Sequence, residues 1–317
     1  MSRALALPAA VELPVLITDL GKKAERRFLE YFAARLSNEN TRKAYARAWV
    51  RFAAWAEARG LAFETIDAVI AAGYVESLGT ELSAATVKQH LAALRVLSDW
   101  LVTGGMLGAN PFAAVRGPRH VVKEGKTPVL YREDAQKLLA SFDTSHVVGL
   151  RDRAIVATMI YTFARVSAVV GLRVRDYNAK KRQATLRLVE KGSQHRRVPV
   201  HHLLAEALDS YLEAAELRPR DPMFCSTRGN SRVLTRTKLD RSNVWAMVRR
   251  RARDAGLDPT QVCNHSFRAT GITDYLANGG ELEIAANLAG HASAQTTRLY
   301  NRNSERINQA EVEKIQI

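Results

Sequence analysis

Apolar positions recur at three- and four-residue steps through the first third of the chain, a spacing that predicts helices. Tyr45, Ala48, Trp49, Phe52 and Trp55 share one helical face. Ser37–Asn40 offers capping side chains before that helix, and Gly60 offers a stop after it. A second helix is expected over about Ser83–Thr103, with Val87, Leu91, Leu94, Leu97 and Leu101 inward and Gly104–Gly105 ending it. Aromatic residues at helical spacing belong to a core far more often than they stack on bases. Residues 20–112 therefore read as one helical domain. The apolar N-terminus resembles a signal peptide, but Pro8 and Glu12 interrupt it, so residues 1–19 are expected to be a flexible tail. Asn110–Pro111 breaks helix, and the basic, breaker-rich run Arg116–Pro128 marks a linker over 113–128.

Beyond the linker the pattern mixes, and 129–303 reads as a second domain. Helical spacing covers about Arg132–Ser141 and resumes from Arg151. Gln183–Val189 and Arg196–Val200 then alternate like two strands around a turn at Glu190–His195. Helices follow over about Leu203–Leu217, Asp240–Ala255 and His265–Asn278, the last with Asn264 as cap and Gly279–Gly280 as stop. The tail 304–317 is loosely helical through Ile307, Ala310, Val312 and Ile315. The fold class expected is mainly α with a small β-sheet, an all-helical N-terminal domain preceding a mixed α+β C-terminal one.

One position breaks the apolar pattern sharply. Ala154–Leu172 holds a single charge, Arg165, and no acid lies beside it in the chain. A guanidinium stays protonated, so burying it without an anion is costly. The stretch has nearly the ~20 residues of a membrane span. A mid-span arginine costs at least about 2.5 kcal/mol, and Thr158, Tyr161, Thr162 and Ser167 add polarity. A buried helix or pair of helices is the better reading, in a cytoplasmic chain.

Charge then suggests where the anion comes from. The net charge is +15 and the pI about 10.1, as in proteins that bind polyanions. Residues 1–126 carry +5 (17 Lys and Arg against 12 Asp and Glu) and residues 127–317 carry +10 (30 against 20), so neither half is merely a basic tail. From Arg232 to Arg253 Asp240 is the lone acid among Arg232, Arg236, Lys238, Arg241, Arg249, Arg250, Arg251 and Arg253, a run suited to phosphate contact. Cys225 and Cys263 are too few for a disulfide framework. Gly125-Lys126-Thr127 mimics the end of a nucleotide loop, but His120 stands where its first glycine is required, so no nucleotide site is expected. Cys263, His265 and His291 lack paired-ligand spacing, and no metal or other cofactor is expected.

On the helix after Cys263, His265, Arg268, Ala269, Ile272 and Leu276 share one face. Its start, where backbone amides point outward, favours an anion. The spacing His265-Ser-Phe-Arg268, the run Leu288-Ala-Gly-His291 and Tyr300 resemble the C-terminal signature of the tyrosine recombinases, the phage-integrase family. Tyr161-Thr-Phe-Ala-Arg165 is similar to that family's first arginine box, and Glu190-Lys191-Gly192 to its lysine turn. These elements occur in family order over about Leu150–Arg302, while residues 20–107 resemble, less specifically, its SAM-like helical core-binding domain.

The resemblance implies a tyrosine-recombinase catalytic domain and roles for six residues. Tyr300 would attack a phosphodiester to form a 3′-phosphotyrosyl link, and Arg165 and Arg268 would hold the non-bridging oxygens. Lys191 would protonate the leaving 5′-oxygen, His265 would assist proton removal from Tyr300, and His291 would donate a hydrogen bond to the phosphate. The partners implied are double-stranded DNA with short inverted-repeat sites and a homotetramer on two such sites. Residues 304–317 would dock on a neighbouring protomer. Family members usually carry an acid three residues after the first arginine, where this chain has Ala168. The site is accordingly expected to be loosely held without DNA, an expectation that a substitute carboxylate nearby would count against. Type IB topoisomerases use a similar set but usually have lysine at the position of His265. A non-catalytic DNA-binding regulator is a further alternative, and a structural basic protein a third.

Overall fold

The computed structural model describes residues 13–120, 125, 127–179, 183–190, 194–229, 231–291 and 293–300. The chain divides between Val121 and Val122 into two compact units, within the stretch expected to be a linker.

The first unit is helical: α1 (Val15–Thr18), α2 (Lys22–Glu30) running into a wider π turn (Tyr31–Arg35), α3 (Glu39–Glu57), α4 (Ala68–Glu81) and α5 (Ala84–Thr103). Each long helix starts on a side chain that takes up otherwise unpaired amides. The Asn38 carboxamide oxygen accepts from the amides of Asn40 and Thr41 at 3.0 and 3.1 Å, and Asp67 and Ser83 cap α4 and α5 in the same way. Trp49 and Phe52 pack edge-to-face with Phe63 at the centre of the core, and the Trp49 indole donates to the Ala93 carbonyl at 3.3 Å. The aromatic face is therefore core, as its spacing indicates. Leu16 and Ile17 of α1 are buried in that core, so the domain begins before residue 20 and the expected 1–19 tail is too long. Phe112 and Val115 belong to the same core, which carries it into the start of the expected linker.

The second unit contains α6 (Arg132–Ala140), α7 (Val147–Thr162), α8 (Val166–Val170), β1 (Tyr177–Asn178), β2 (Thr185–Val189), β3 (His195–Pro199), α9 (His202–Ala215), β4 (Cys225–Thr227), β5 (Leu234–Lys238), α10 (Arg241–Asp254), α11 (Asn264–Ala277), α12 (Leu282–Ala289) and α13 (Ala294–Arg298). Strands β1, β2 and β3 form an antiparallel sheet in that order, with Val189 opposite His195 at the end of the β2–β3 hairpin. A second hairpin, β4–β5, is not expected from the sequence pattern, and its second strand lies within the basic run Arg232–Arg253.

Helix α7 lies against α9 and α11 and is buried on all sides, Ala154 to Met159 in succession. The apolar stretch proves to be a pair of helices. Helix α7 stops at Thr162, Phe163 takes a left-handed conformation (φ 54°), and Arg165 precedes α8. A left-handed phenylalanine is strained, and its buried ring against Ile272 and Ala289 holds it there. Among the described residues, no helix is long and apolar enough to cross a membrane.

Gly271 lets α11 approach the end of α7, because a Cβ there would run into the Ile160 carbonyl oxygen and the Phe163 ring. Gly271→Ala is expected to destabilise the protein by about 1–3 kcal/mol, the range for overpacking a dense interior. Urea unfolding monitored by circular dichroism measures it.

Candidate active site

The carboxyl end of α7 organises the site. Its last carbonyls lack helical partners and carry the negative end of the helix dipole. The Arg268 guanidinium, 2% exposed, donates to the Phe163 carbonyl and, at 2.7 Å, to the Ala289 carbonyl at the end of α12. One side chain thus joins two helix C-termini. Burial, and then the neighbouring Arg165, lower its pKa to about 10, which leaves it charged at neutral pH.

Arg165 has the anion that its sequence neighbours do not provide. Its terminal nitrogen donates to Glu190 Oε2 at 2.9 Å, while 33% of its side chain stays exposed. The other carboxylate oxygen of Glu190 accepts from Arg196 at 3.2 Å, and Arg196 also reaches the Thr162 carbonyl at 3.4 Å. Burial lowers the pKa of Arg196, Glu190 opposes that shift and Arg165 adds to it. The expectation of a loosely held site is therefore corrected: Glu190, from the β2–β3 hairpin, replaces the acid that Ala168 cannot supply.

His265 stands on the first turn of α11. Withdrawal of solvent by the protein around it, and then Arg268 and Arg165, lower its pKa even though the residue keeps an exposed face. Helix α11 is capped one residue earlier than expected, by Cys263, whose amide donates to Ser266 Oγ at 3.1 Å. His291 follows Gly290, a left-handed C-cap (φ 60°) that turns the chain after α12. Its Nδ1 lies 2.8 Å from the buried Thr297 hydroxyl. Burial, and then Arg268, Arg165 and Arg196, depress its pKa to about 4.

Tyr300 stacks its ring on His291, centroids 6.0 Å apart and planes 8° from parallel. Its carbonyl accepts from Thr273 of α11 at 3.2 Å, and its ring packs with Phe163, Ile272 and Ala289. Tyr300 is near enough to Arg268 to raise that group's pKa. Arg165, His265, Arg268, His291 and Tyr300 thus converge. Lys191 lies outside the described residues; just before it the Glu190 amide donates to the Gln194 carbonyl at 2.8 Å, closing the hairpin turn. Among the described residues no three His, Cys, Asp or Glu side chains gather as a metal site would require.

Sequence reasoning missed the part played by Glu190, Arg196 and Thr297. A signal existed for Arg196: two residues before the inward Val198, it shares that face of β3.

Residues 128–306 match the phage integrase family, and residues 26–105 match the phage integrase N-terminal SAM-like domain. The chain is 29% identical over 272 residues to tyrosine recombinase XerD of Listeria monocytogenes serotype 4b, spanning 82% of this chain and 87% of the relative. It is 30% identical over 280 residues to XerD of Xanthomonas axonopodis pv. citri, spanning 86% and 90%. Among solved structures, XerH site-specific recombinase bound to palindromic difH substrate is similar in fold, with a TM-score of 0.73 at 20% identity over 99% of this chain and 98% of that one. A lambda integrase dimer on a core site gives a TM-score of 0.66 at 20% identity over 93% and 98%. The chain belongs to the phage integrase family of tyrosine recombinases, enzymes that cleave and rejoin DNA strands.

The depressed pKa of His291 makes stability depend on pH. Between its unfolded value near 6.5 and its folded value of about 4, the unfolded chain binds the extra proton. Stability present above pH 6.5 is lost as pH falls toward 4. The melting temperature of the DNA-free protein is expected to decline across this window, and less steeply in His291→Gln.

Proposed function

We propose that this chain recombines DNA at specific sites through a 3′-phosphotyrosyl bond to Tyr300, with strands exchanged through a Holliday junction. The convergence of two arginines, two histidines and a tyrosine on a cationic pocket at the end of α7 carries this reading.

A scissile phosphate would enter against Arg165 and Arg268, whose guanidinium groups match its non-bridging oxygens and stabilise the charge that builds in the transition state. The Tyr300 oxygen attacks phosphorus, the bond to the 5′-oxygen breaks, and a phosphotyrosyl link and a 5′-hydroxyl result. His265, whose lowered pKa keeps it neutral at physiological pH, accepts the tyrosine proton. Lys191 gives a proton to the departing 5′-oxygen. In the tautomer where His291 Nδ1 accepts from the Thr297 hydroxyl 2.8 Å away, the ring proton sits on Nε2 and is offered to the phosphate. Attack by a 5′-hydroxyl from the partner strand reverses these steps, and the protein–DNA bond conserves the energy needed for rejoining.

The substrate in this reading is double-stranded DNA with short inverted repeats, and the working unit is a homotetramer on two sites. Likeness in fold to XerH on a palindromic substrate and to a lambda integrase tetramer on a Holliday junction supports it. Arg250 and Arg253, exposed on α10, are suited to backbone phosphates. Residues 304–317, which lie outside the described residues, would dock on a neighbouring protomer.

The test is to trap covalent adducts on a nicked genomic DNA library and sequence the DNA that is held. The wild type is expected to enrich one inverted-repeat site. Tyr300→Phe should bind that site yet recombine at least about 10³-fold more slowly. A Tyr300→Phe protein that recombines like wild type, or efficient relaxation of plasmids lacking the site, would contradict the reading.

A further inference from the structure

We infer that Glu190 is the positioning residue for Arg165, holding its guanidinium in the orientation that cleavage requires and tying it to the β2–β3 hairpin. The inference rests on the reading of Arg165 as a phosphate ligand. Ala168, at the position where family members usually carry an acid, is apolar and buried and offers Arg165 no partner. Glu190 reaches it from another element, and each carboxylate oxygen holds one guanidinium: Oε2 that of Arg165 at 2.9 Å, Oε1 that of Arg196 at 3.2 Å. The Glu190 side chain is only 6% exposed, so water screens these pairs little. It is also fixed at its backbone, where its amide closes the turn onto Gln194. Arg196 is anchored in turn to the Thr162 carbonyl. The chain Thr162–Arg196–Glu190–Arg165 therefore runs from the end of α7, through the hairpin, back to the residue before α8.

This contact uses one terminal nitrogen of Arg165, and a guanidinium has further donors. The exposed part of the side chain can meet a phosphate while Glu190 stays in place. The carboxylate also offsets part of the repulsion among Arg165, Arg196 and Arg268, which would otherwise drive Arg165 outward. Glu190 immediately precedes Lys191 in the sequence, and through Glu190 the alignment of Arg165 depends on the seating of the β2–β3 hairpin.

The test compares single-turnover cleavage of a nicked duplex carrying the trapped site, at saturating protein. Glu190→Gln keeps the shape and removes the charge, and should slow cleavage by about ten- to a hundredfold, the scale of small misplacements in a site. DNA affinity should stay within about threefold. In an Arg165→Lys background the same change should cost less than about threefold, because residues that act through one another are not additive. The loss should also persist on a duplex with sulfur in place of the bridging 5′-oxygen, whose leaving thiolate needs little protonation.

A multiplicative loss in the Arg165→Lys background would overturn the inference, as would faster cleavage by Glu190→Gln. Restoration on the sulfur substrate would overturn it too, since Glu190 would then serve Lys191. Should Glu190→Gln fail to fold, Glu190→Asp, too short to span both arginines, carries the same comparisons. A wild type that forms no adduct refutes the proposed function itself; one that cleaves normally beside an unimpaired Glu190→Gln refutes only this inference.

Discussion

Three guanidinium groups, those of Arg165, Arg196 and Arg268, share one partly desolvated pocket, and their mutual repulsion is the constraint around which the catalytic unit is arranged. Such a cluster survives only where compensating negative charge is fixed nearby. The protein supplies it in two forms. One is the Glu190 carboxylate, which bridges Arg165 and Arg196. The other is the set of carbonyls at helix C-termini, Thr162 and Phe163 at the end of α7 and Ala289 at the end of α12, which receive Arg196 and Arg268. Many features of the local fold serve this compensation. Phe163 is left-handed at the helix end, Gly271 admits α11 to it, and the β2–β3 hairpin delivers Glu190.

The compensation is incomplete, and the remainder shapes the chemistry. An unfilled positive potential favours a phosphodiester and stabilises the extra charge of its transition state. The same potential, added to desolvation, keeps His265 and His291 below their ordinary pKa and therefore neutral. A neutral histidine can accept a proton from tyrosine or donate a hydrogen bond without adding to the repulsion. The packing of Tyr300 on His291, and of its carbonyl against α11, puts the proposed nucleophile beside the groups it would need.

Much of this was legible in the sequence because motifs are local. Arg165 announced itself as a lone charge in an apolar stretch, and helical spacing put His265 and Arg268 on one face. The helical core around Trp49 followed from periodicity alone. What was hidden depends on contacts between distant segments. Glu190 lies 25 residues from Arg165 and read as part of a turn, so the absence of an acid at Ala168 suggested a loose site where the fold brings in a carboxylate from another element. Hairpin β4–β5 escaped notice because three-residue β4 is too short to alternate visibly, and β5 carries Arg236 and Lys238. Leu16 and Ile17 looked like part of a tail because a single buried turn has no period to detect.

The central claim is that Tyr300 forms the covalent bond to DNA. The most direct measurement is mass spectrometry of the trapped adduct after digestion of both protein and DNA, which identifies the residue that carries the nucleotide. The account predicts that the nucleotide is attached through its 3′-phosphate to the peptide containing Tyr300 and to no other. Attachment to Tyr161 or Tyr275, or linkage through a 5′-phosphate, would contradict it.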